Sequence, residues 1–108
     1  MRRGEWVQFH IDNKLAEGAT VHWHGFELPA AADGGPHQLI RPGERWRPSF
    51  QVRQRASLYW YHSHLERGAG PQVYAGLAAP IYVRDDEEEG LDFLLLLLRG
   101  AVDAGLPE

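Results

Sequence analysis

The pattern of apolar and polar positions along the chain predicts short strands rather than long helices. β-Branched and aromatic residues are concentrated in short runs, and some of these runs alternate with polar residues in the period of two that is typical of a half-buried strand. The clearest alternation places Trp46, Phe50 and Val52 on one parity, with Arg45 and Gln51 on the other. The predicted strands cover residues 5–11, 19–24, 45–52, 57–64 and 77–83, and the short apolar segments at 39–40 and 93–98 are further candidates.

Turn-forming residues separate these runs. Residues 29–36 (PAAADGGP) are a loop by composition, and residues 66–71 are a Gly-rich loop that precedes one short helical turn at 72–77. Pro80, inside the last predicted strand, requires a sheet edge or a bulge. Twelve Gly and seven Pro in 108 residues imply frequent turns. The sequence therefore predicts an all-β fold, a sandwich or small barrel of six or seven strands, in a single domain over residues 1–108.

Composition and charge exclude several classes of function. The net charge is −4 and the arginines are dispersed, so no basic patch indicates nucleic acid. Cysteine is absent, which excludes disulfides and thiolate metal ligands. The apolar run at 91–98 is far shorter than the ~20 residues that span a bilayer, so we expect no membrane partner. Residues 85–90 are expected to form a solvated acidic connector, followed by a C-terminal segment at 91–108.

Four of the six histidines occur in two His-X-His pairs, in VHWHG and YHSH. In a strand, side chains two residues apart point to the same face, and their Cα atoms are about 6–7 Å apart. Imidazoles at that spacing can converge on one metal ion or point to two neighbouring ions. Since histidine is the commonest metal ligand, two such pairs on separate strands predict a metal site. The predicted ligands are His22, His24, His62 and His64.

The segments around these histidines resemble the first cupredoxin domain of multicopper oxidases, a family that includes laccases and bacterial copper-resistance oxidases. The resemblance covers about residues 4–85 and includes HWHG, DGGP, IRPGE, HSH and QVYAGLAAPIYV in the same order. It implies a cupredoxin-like Greek-key β-sandwich. It also implies that His22 binds the mononuclear type 2 copper, that His24 and His62 bind one copper of the type 3 pair, and that His64 binds the other.

The chain matches only half of the family's trinuclear copper site. The other half of the site comes from a later domain with HxxHxH and HCH motifs, and neither motif is present here. The type 1 copper that accepts electrons requires a Cys thiolate, which this chain lacks. We therefore expect self-association to complete the site, as a homodimer by preference and as a trimer in the alternative. Oxidase activity, with dioxygen and small reductants such as ascorbate or phenols, is expected only from the completed cluster.

Two acidic residues are candidates to assist the metal site. Asp33, in the DGGP loop, and Glu66, directly after HSH, are each placed to accept an imidazole N–H or to help move protons.

Three other classes of function can be compared with the sequence: a binding-only module, a zinc hydrolase and a cupin. The main alternative is a binding-only copper or zinc module without turnover, because the electron-entry site is absent. A zinc hydrolase is not favoured, because no suitably placed general base is found in this sequence. A cupin, another β-barrel with His-X-His ligands, is not favoured either, because Glu27 and Gly18 do not have the spacing of the cupin motif. The resemblance, rather than the spacing, favours copper over zinc. The family is mostly periplasmic or secreted, but no signal-peptide pattern is present, so we assign no compartment.

Overall fold

Short strands form most of the regular structure in the computed structural model, which describes residues 1–86. The elements are strands β1 (Trp6–Gln8), β2 (Ile11–Asp12), β3 (His22–His24), β4 (Arg45–Trp46), β5 (Ser49–Gln51), β6 (Ser57–His62) and β7 (Ala78–Val83), a 3₁₀ turn at Ala30–Ala32 and helix α1 (Ala69–Tyr74). The prediction of an all-β fold is confirmed for this part of the chain.

All the strand pairs are antiparallel. β1 pairs with β5, β2 pairs with β4, and β3, β6 and β7 form a three-stranded sheet in that order. The predicted strand at 5–11 is divided between β1 and β2. The predicted strand at 45–52 is divided at Pro48, which has no N–H to contribute to a strand ladder.

Helix α1 begins three residues before the predicted helical turn at 72–77. Gly68 precedes its first residue, and Pro71 lies in the first turn of the helix. Proline is accepted there because the first N–H groups of a helix have no partner within it. The Gly-rich composition of residues 66–71 therefore did not exclude a helix.

Pro80 lies at a sheet edge, as predicted. β7 is the outer strand of the three-stranded sheet, and Pro80 pairs with Trp60 of β6. Tyr82 has the same parity, and its carbonyl accepts a hydrogen bond from the Met1 amine at 3.0 Å on the side away from β6. The missing N–H of Pro80 consequently faces the outer edge, where it interrupts no pairing with β6.

The core lies between the three-stranded sheet and the β1–β5 pair. Trp23 of β3 is 2% exposed, and its ring centroid lies 5.6 Å from that of Phe50 and 4.4 Å from that of Phe9. Phe50 and Val52 are buried whereas Arg45 is exposed, so the predicted alternation is confirmed. The buried apolar residues are Ala19, Val21, Trp23, Phe26, Ala32, Ile40, Phe50, Val52, Ile81 and Val83.

The prediction of a solvated connector is wrong for its first residue. Asp85 is 7% exposed, and its Oδ2 accepts the main-chain N–H of Ala56 at 2.8 Å and lies 3.9 Å from the Arg3 guanidinium. These contacts explain why a carboxylate is buried there. Residues 87–90 and the segment 91–108 lie outside the described residues, so the predicted division of the chain stays a prediction. Within residues 1–86, no helix has the length and apolar character needed to cross a membrane.

Candidate metal site

The register of β3 and β6 brings the two histidine pairs together. His22 lies directly opposite His62, and His24 lies opposite Trp60, which precedes His62 by two residues on the same face. His64 follows the end of β6, and its ring centroid lies 5.2 Å from that of His22 and 6.1 Å from that of His62. The predicted histidines therefore form one cluster on the side of the sheet opposite the buried core.

Three of these histidines present ring nitrogens to a common point. One ring nitrogen from each of His22, His24 and His62 lies within 4.8 Å of the others, and His24 Nδ1 is 3.1 Å from His62 Nε2. Two imidazole nitrogens bonded to one ion at about 2.0–2.1 Å each lie at most about 4.2 Å apart. The pair therefore fits a shared ion, and imidazole donors suit copper and zinc. His64 is outside this group of three, although its ring adjoins it.

The loop at 29–36 orients His22. The Nδ1–H of His22 donates to the main-chain carbonyl of Asp33 at 2.9 Å, and Asp33 Oδ1 lies 3.4 Å from the same nitrogen. On the opposite face of β3, the indole N–H of Trp23 donates to the carbonyl of Ala32 at 2.9 Å. Neighbouring residues of the strand thus hold neighbouring residues of the loop. Because Nδ1 is occupied, Nε2 is the nitrogen of His22 that is available to a metal ion.

Gly34 allows this loop to contact β3. Its φ is +74°, and a Cβ atom at this position would lie 1.7 Å from the carbonyl oxygen of Val21 and 3.0 Å from the Cα of His22. Both the conformation and the contact therefore require glycine. The first glycine of the DGGP sequence has a structural purpose, since it permits the close approach that places Asp33 beside His22.

Ser63 anchors the HSH segment to the interior of the domain. It is fully buried, and its hydroxyl donates to Oε1 of Gln72 in α1 at 2.5 Å. The Gln72 amide, which is 5% exposed, donates in turn to the Gly18 carbonyl at 2.8 Å and to the Glu17 carboxylate at 3.0 Å. This buried network connects the segment between the two histidines with α1 and with the chain that leads into β3.

His64 is fixed through its main chain rather than through its ring. Its N–H donates to Oγ1 of the fully buried Thr20 at 2.7 Å. The imidazole itself is exposed. The backbone of His64 is therefore held in place, while its side chain is accessible from solvent.

The environment of His62 favours the neutral imidazole and makes Nε2 its acceptor nitrogen. Its Nδ1–H donates to the main-chain carbonyl of Ser63 at 2.7 Å. Burial lowers the pKa of the His62 imidazole, and the neighbouring His22, His24 and His64 lower this pKa further, against the opposing effect of the Ser63 carbonyl. A neutral imidazole is the form that binds a metal ion, so the environment of His62 favours ligation.

The two predicted acidic residues differ in position. Asp33 contacts His22, as described above. Glu66 is exposed, and none of the hydrogen bonds formed within residues 1–86 joins it to a histidine. Trp60, whose indole adjoins both His24 and His62, is a residue of the site that the histidine motifs did not indicate. The period of two along β6 was the available signal, because it places Trp60 on the face that carries His62.

The fold and the cluster together define a class: a small β-sheet domain with two His-X-His pairs on adjacent strands and an imidazole group suited to a transition metal. The family model described as multicopper oxidase matches residues 1–88. The chain therefore belongs to the multicopper oxidase family, and the predicted resemblance to its first domain is confirmed.

Individual relatives agree with this assignment. The chain is 40% identical over 88 residues to multicopper oxidase mco of Staphylococcus aureus. This match covers 82% of this chain and 20% of that protein. It is 32% identical over 89 residues to cell division protein FtsP of Escherichia coli (strain K12), covering 82% of this chain and 19% of that protein. The chain thus spans about a fifth of the length of these relatives.

A solved laccase has the same fold. The laccase from Pediococcus acidilactici matches with a TM-score of 0.80 at 34% identity, over 85% of this chain and 20% of the laccase chain. The predicted cupredoxin-like fold is confirmed by this match and by the laccase-like multicopper oxidase CueO of Ochrobactrum sp., which has a TM-score of 0.77 at 35% identity and covers 100% of this chain and 21% of that one.

Proposed function

We propose that this chain is a copper-binding cupredoxin domain that supplies half of a type 2/type 3 copper centre. The proposed ligands are His22, His24, His62 and His64. The observation that carries the proposal is the approach of three ring nitrogens to within 4.8 Å of one another, with two of these rings oriented by main-chain carbonyls. Membership of the family favours copper over zinc. When bound at such a centre, copper supplies the redox chemistry that reduces dioxygen to water.

Metal uptake is coupled to the proton between His24 and His62. In neutral His62, Nδ1 carries the proton donated to Ser63, so Nε2 is an acceptor. His24 Nδ1–H must then be the donor in the 3.1 Å contact with His62 Nε2. For both nitrogens to bind a metal ion, this proton has to leave or move to Nε2 of His24. We therefore expect His24 to change its tautomer when the site is loaded.

The centre requires ligands from a second surface. The accessible side of the cluster faces solvent, and we propose that a second copy of the chain, in a homodimer or a trimer, supplies the remaining imidazoles. The main-chain carbonyl of Asp33 accepts the Nδ1–H of His22, and the Asp33 carboxylate, whose Oδ1 lies 3.4 Å from the same nitrogen, is placed to hold a proton beside the site. Because a chain without cysteine has no type 1 copper, electrons would come directly from small reductants such as ascorbate or phenols.

Titration of the metal-free protein with Cu(II), followed by light scattering and EPR, tests the proposal. We expect the mass to rise from monomer to oligomer as copper binds, and the EPR intensity to be lower than the total copper because a coupled pair is silent. The matched controls are the double variant His10→Gln/His37→Gln, which should behave as the wild type, and His24→Gln/His62→Gln, which should lose binding. Copper binding by the latter variant equal to that of the wild type would contradict the assigned site.

The second candidate function is a binding-only copper or zinc module. The absence of cysteine favours it, and so does the relative FtsP, whose name refers to cell division rather than to oxidation. A monomer that binds one fully EPR-visible Cu(II) would support this alternative. Reductant-dependent oxygen uptake above that of free copper would instead support the oxidase.

A further inference from the structure

We propose that Trp60 is a positioning residue of the metal site. Its indole fixes the ring of His24, so that His24 and His62 present their nitrogens as a pair before an ion arrives. This inference rests on the proposed function, because it assigns a role to a residue that is not itself a ligand.

The position of Trp60 follows from the strand register. Trp60 lies directly across from His24 in the β3–β6 pair and two residues before His62 on the same face. Its ring centroid lies 4.2 Å from that of His62 with 28° between the planes, and 4.9 Å from that of His24 with 31° between the planes. One indole therefore contacts both histidines of the hydrogen-bonded pair, His24 and His62. At 39% exposed, it covers one side of that pair.

His24 needs such a contact more than the other two histidines of the group. His22 and His62 each donate Nδ1–H to a main-chain carbonyl, which fixes the ring and leaves the lone pair of Nε2 as the one that can bind a metal ion. Within residues 1–86, the ring of His24 has a single hydrogen bond, to His62, through the nitrogen that would bind the metal ion. That bond is lost on loading. The contact with Trp60 uses neither ring nitrogen, and Trp60 is not a proposed ligand, so this contact can hold the His24 ring in both the metal-free and the loaded state.

Aromatic stacking requires a flat ring, so conservative and non-aromatic replacements should differ. Trp60→Phe retains a ring that can stack on both imidazoles, whereas Trp60→Leu retains apolar bulk without a ring face. Loss of a partner that orients a metal-binding histidine weakens metal affinity by about 10- to 100-fold. We expect Trp60→Leu to weaken binding by about tenfold and Trp60→Phe by no more than about threefold, as a partial loss of stacking.

The experiment measures Zn(II) and Cu(II) affinity by competition with a chelator and, separately, the His24 tautomer by long-range ¹⁵N–¹H NMR of the metal-free protein. Trp6→Leu is the matched control, because Trp6 is 73% exposed on β1 and has no ring contact with a histidine in the described part of the chain. We expect wild type, Trp6→Leu and Trp60→Phe to have one defined His24 tautomer with Nδ1 protonated. Trp60→Leu should give averaged nitrogen shifts. If Trp60→Leu does not fold, Trp60→Thr, with a residue that favours strands, replaces it.

Two outcomes overturn the inference. The first is wild-type affinity and a defined His24 tautomer in Trp60→Leu. The second is an equal loss of affinity in Trp60→Phe and Trp60→Leu without any change in the tautomer, which would show that only bulk matters at this position. If the wild-type protein binds neither metal, the proposed function fails. The NMR comparison of the metal-free variants still decides whether Trp60 orients His24.

Discussion

Substitution of Gly34 by alanine tests the link between the loop at 29–36 and the metal site. Gly34 has a φ of +74°, and a Cβ atom would lie 1.7 Å from the Val21 carbonyl oxygen. Gly43 is a matched control, because its φ is +79° and nothing lies within 4 Å of the corresponding Cβ position. The two substitutions therefore share the cost of a left-handed backbone and differ in the steric contact.

The structure allows the two costs to be separated. Placing alanine in the left-handed region costs about 1 kcal/mol, which is the whole effect expected for Gly43→Ala. At Gly34 the main chain must also move by at least 1.3 Å, from 1.7 Å to the 3.0 Å below which Cβ contacts are essentially never found. Overpacking of this kind typically costs a further 1–3 kcal/mol. We therefore expect Gly34→Ala to lower the free energy of unfolding by about 2–4 kcal/mol.

Urea unfolding and thermal melting of the two variants measure this difference. A difference of about 1–3 kcal/mol between the variants corresponds to a gap in Tm of about 4–24 °C for a domain of this size. Because the loop carries Asp33, which orients His22, Gly34→Ala should also weaken Zn(II) binding, whereas Gly43→Ala should not. Equal stability of Gly34→Ala and Gly43→Ala would refute the close approach of the loop to β3. Unchanged Zn(II) affinity would refute its link to the site.

Two further predictions concern the support of HSH and the effect of pH. Gln72→Leu should lower the free energy of unfolding by about 2–4 kcal/mol, because the Ser63 hydroxyl and the Gly18 carbonyl lose their partner. In a double-mutant cycle, adding Ser63→Ala should restore part of this lost stability, and strictly additive losses would contradict the coupling between the two residues. Since the pKa of His62 is lowered from 6.5, the unfolded chain binds more protons just below that pH, so the stability of the metal-free protein should fall as the pH decreases from 6.5 towards 5. In urea unfolding at both pH values, His62→Gln should lose less stability than the exposed control His37→Gln, and equal losses would exclude His62 as the cause.

The strand faces could be predicted from the sequence because a period of two is a local property. Trp46, Phe50 and Val52 share a parity and are more buried than Arg45, as the alternation indicated. The strand limits could not be predicted in the same way. β1 ends at Gln8, where its pairing with β5 ends, and β2 begins at Ile11, where pairing with β4 begins. Both partner strands are distant in the sequence. Such breaks depend on tertiary contacts that a local pattern does not contain.

The same distinction applies to the site. That His22 and His24 share a face, and that His62 and His64 point the same way, followed from their spacing. That His22 lies opposite His62, which brings Trp60 beside His24, depends on the register between two strands. A shift of one residue would have placed the histidines on opposite faces of the sheet. The motif therefore indicated the ligands, whereas the register determines which of them lie close together.

The contrast between Asp33 and Glu66 has a similar cause. Both acids lie near a histidine motif in the sequence, and composition alone could not separate them. Asp33 reaches His22 because Gly34 lets its loop approach β3, and because Trp23 holds the preceding residue from the other face of the strand. No comparable contact brings Glu66 to the cluster within residues 1–86. Asp33 rather than Glu66 therefore lies at the cluster because of Gly34 and Trp23, neither of which is a metal-binding residue.

The hydrogen bonds that support the cluster come from the loop at 29–36, from the Ser63 carbonyl and from residues buried behind the HSH segment. The carbonyls of Asp33 and Ser63 orient the rings of His22 and His62, respectively. The buried Thr20 and Gln72 hold the HSH segment from the interior of the domain. Such a site is preorganised on its inner side before any metal ion binds, which reduces the ordering required of it on ligation. The outer side is formed by the imidazoles, of which those of His24 and His64 are exposed, and by Trp60. We therefore expect completing ligands to approach from solvent across β3 and β6, with Trp60 at the edge of the contact.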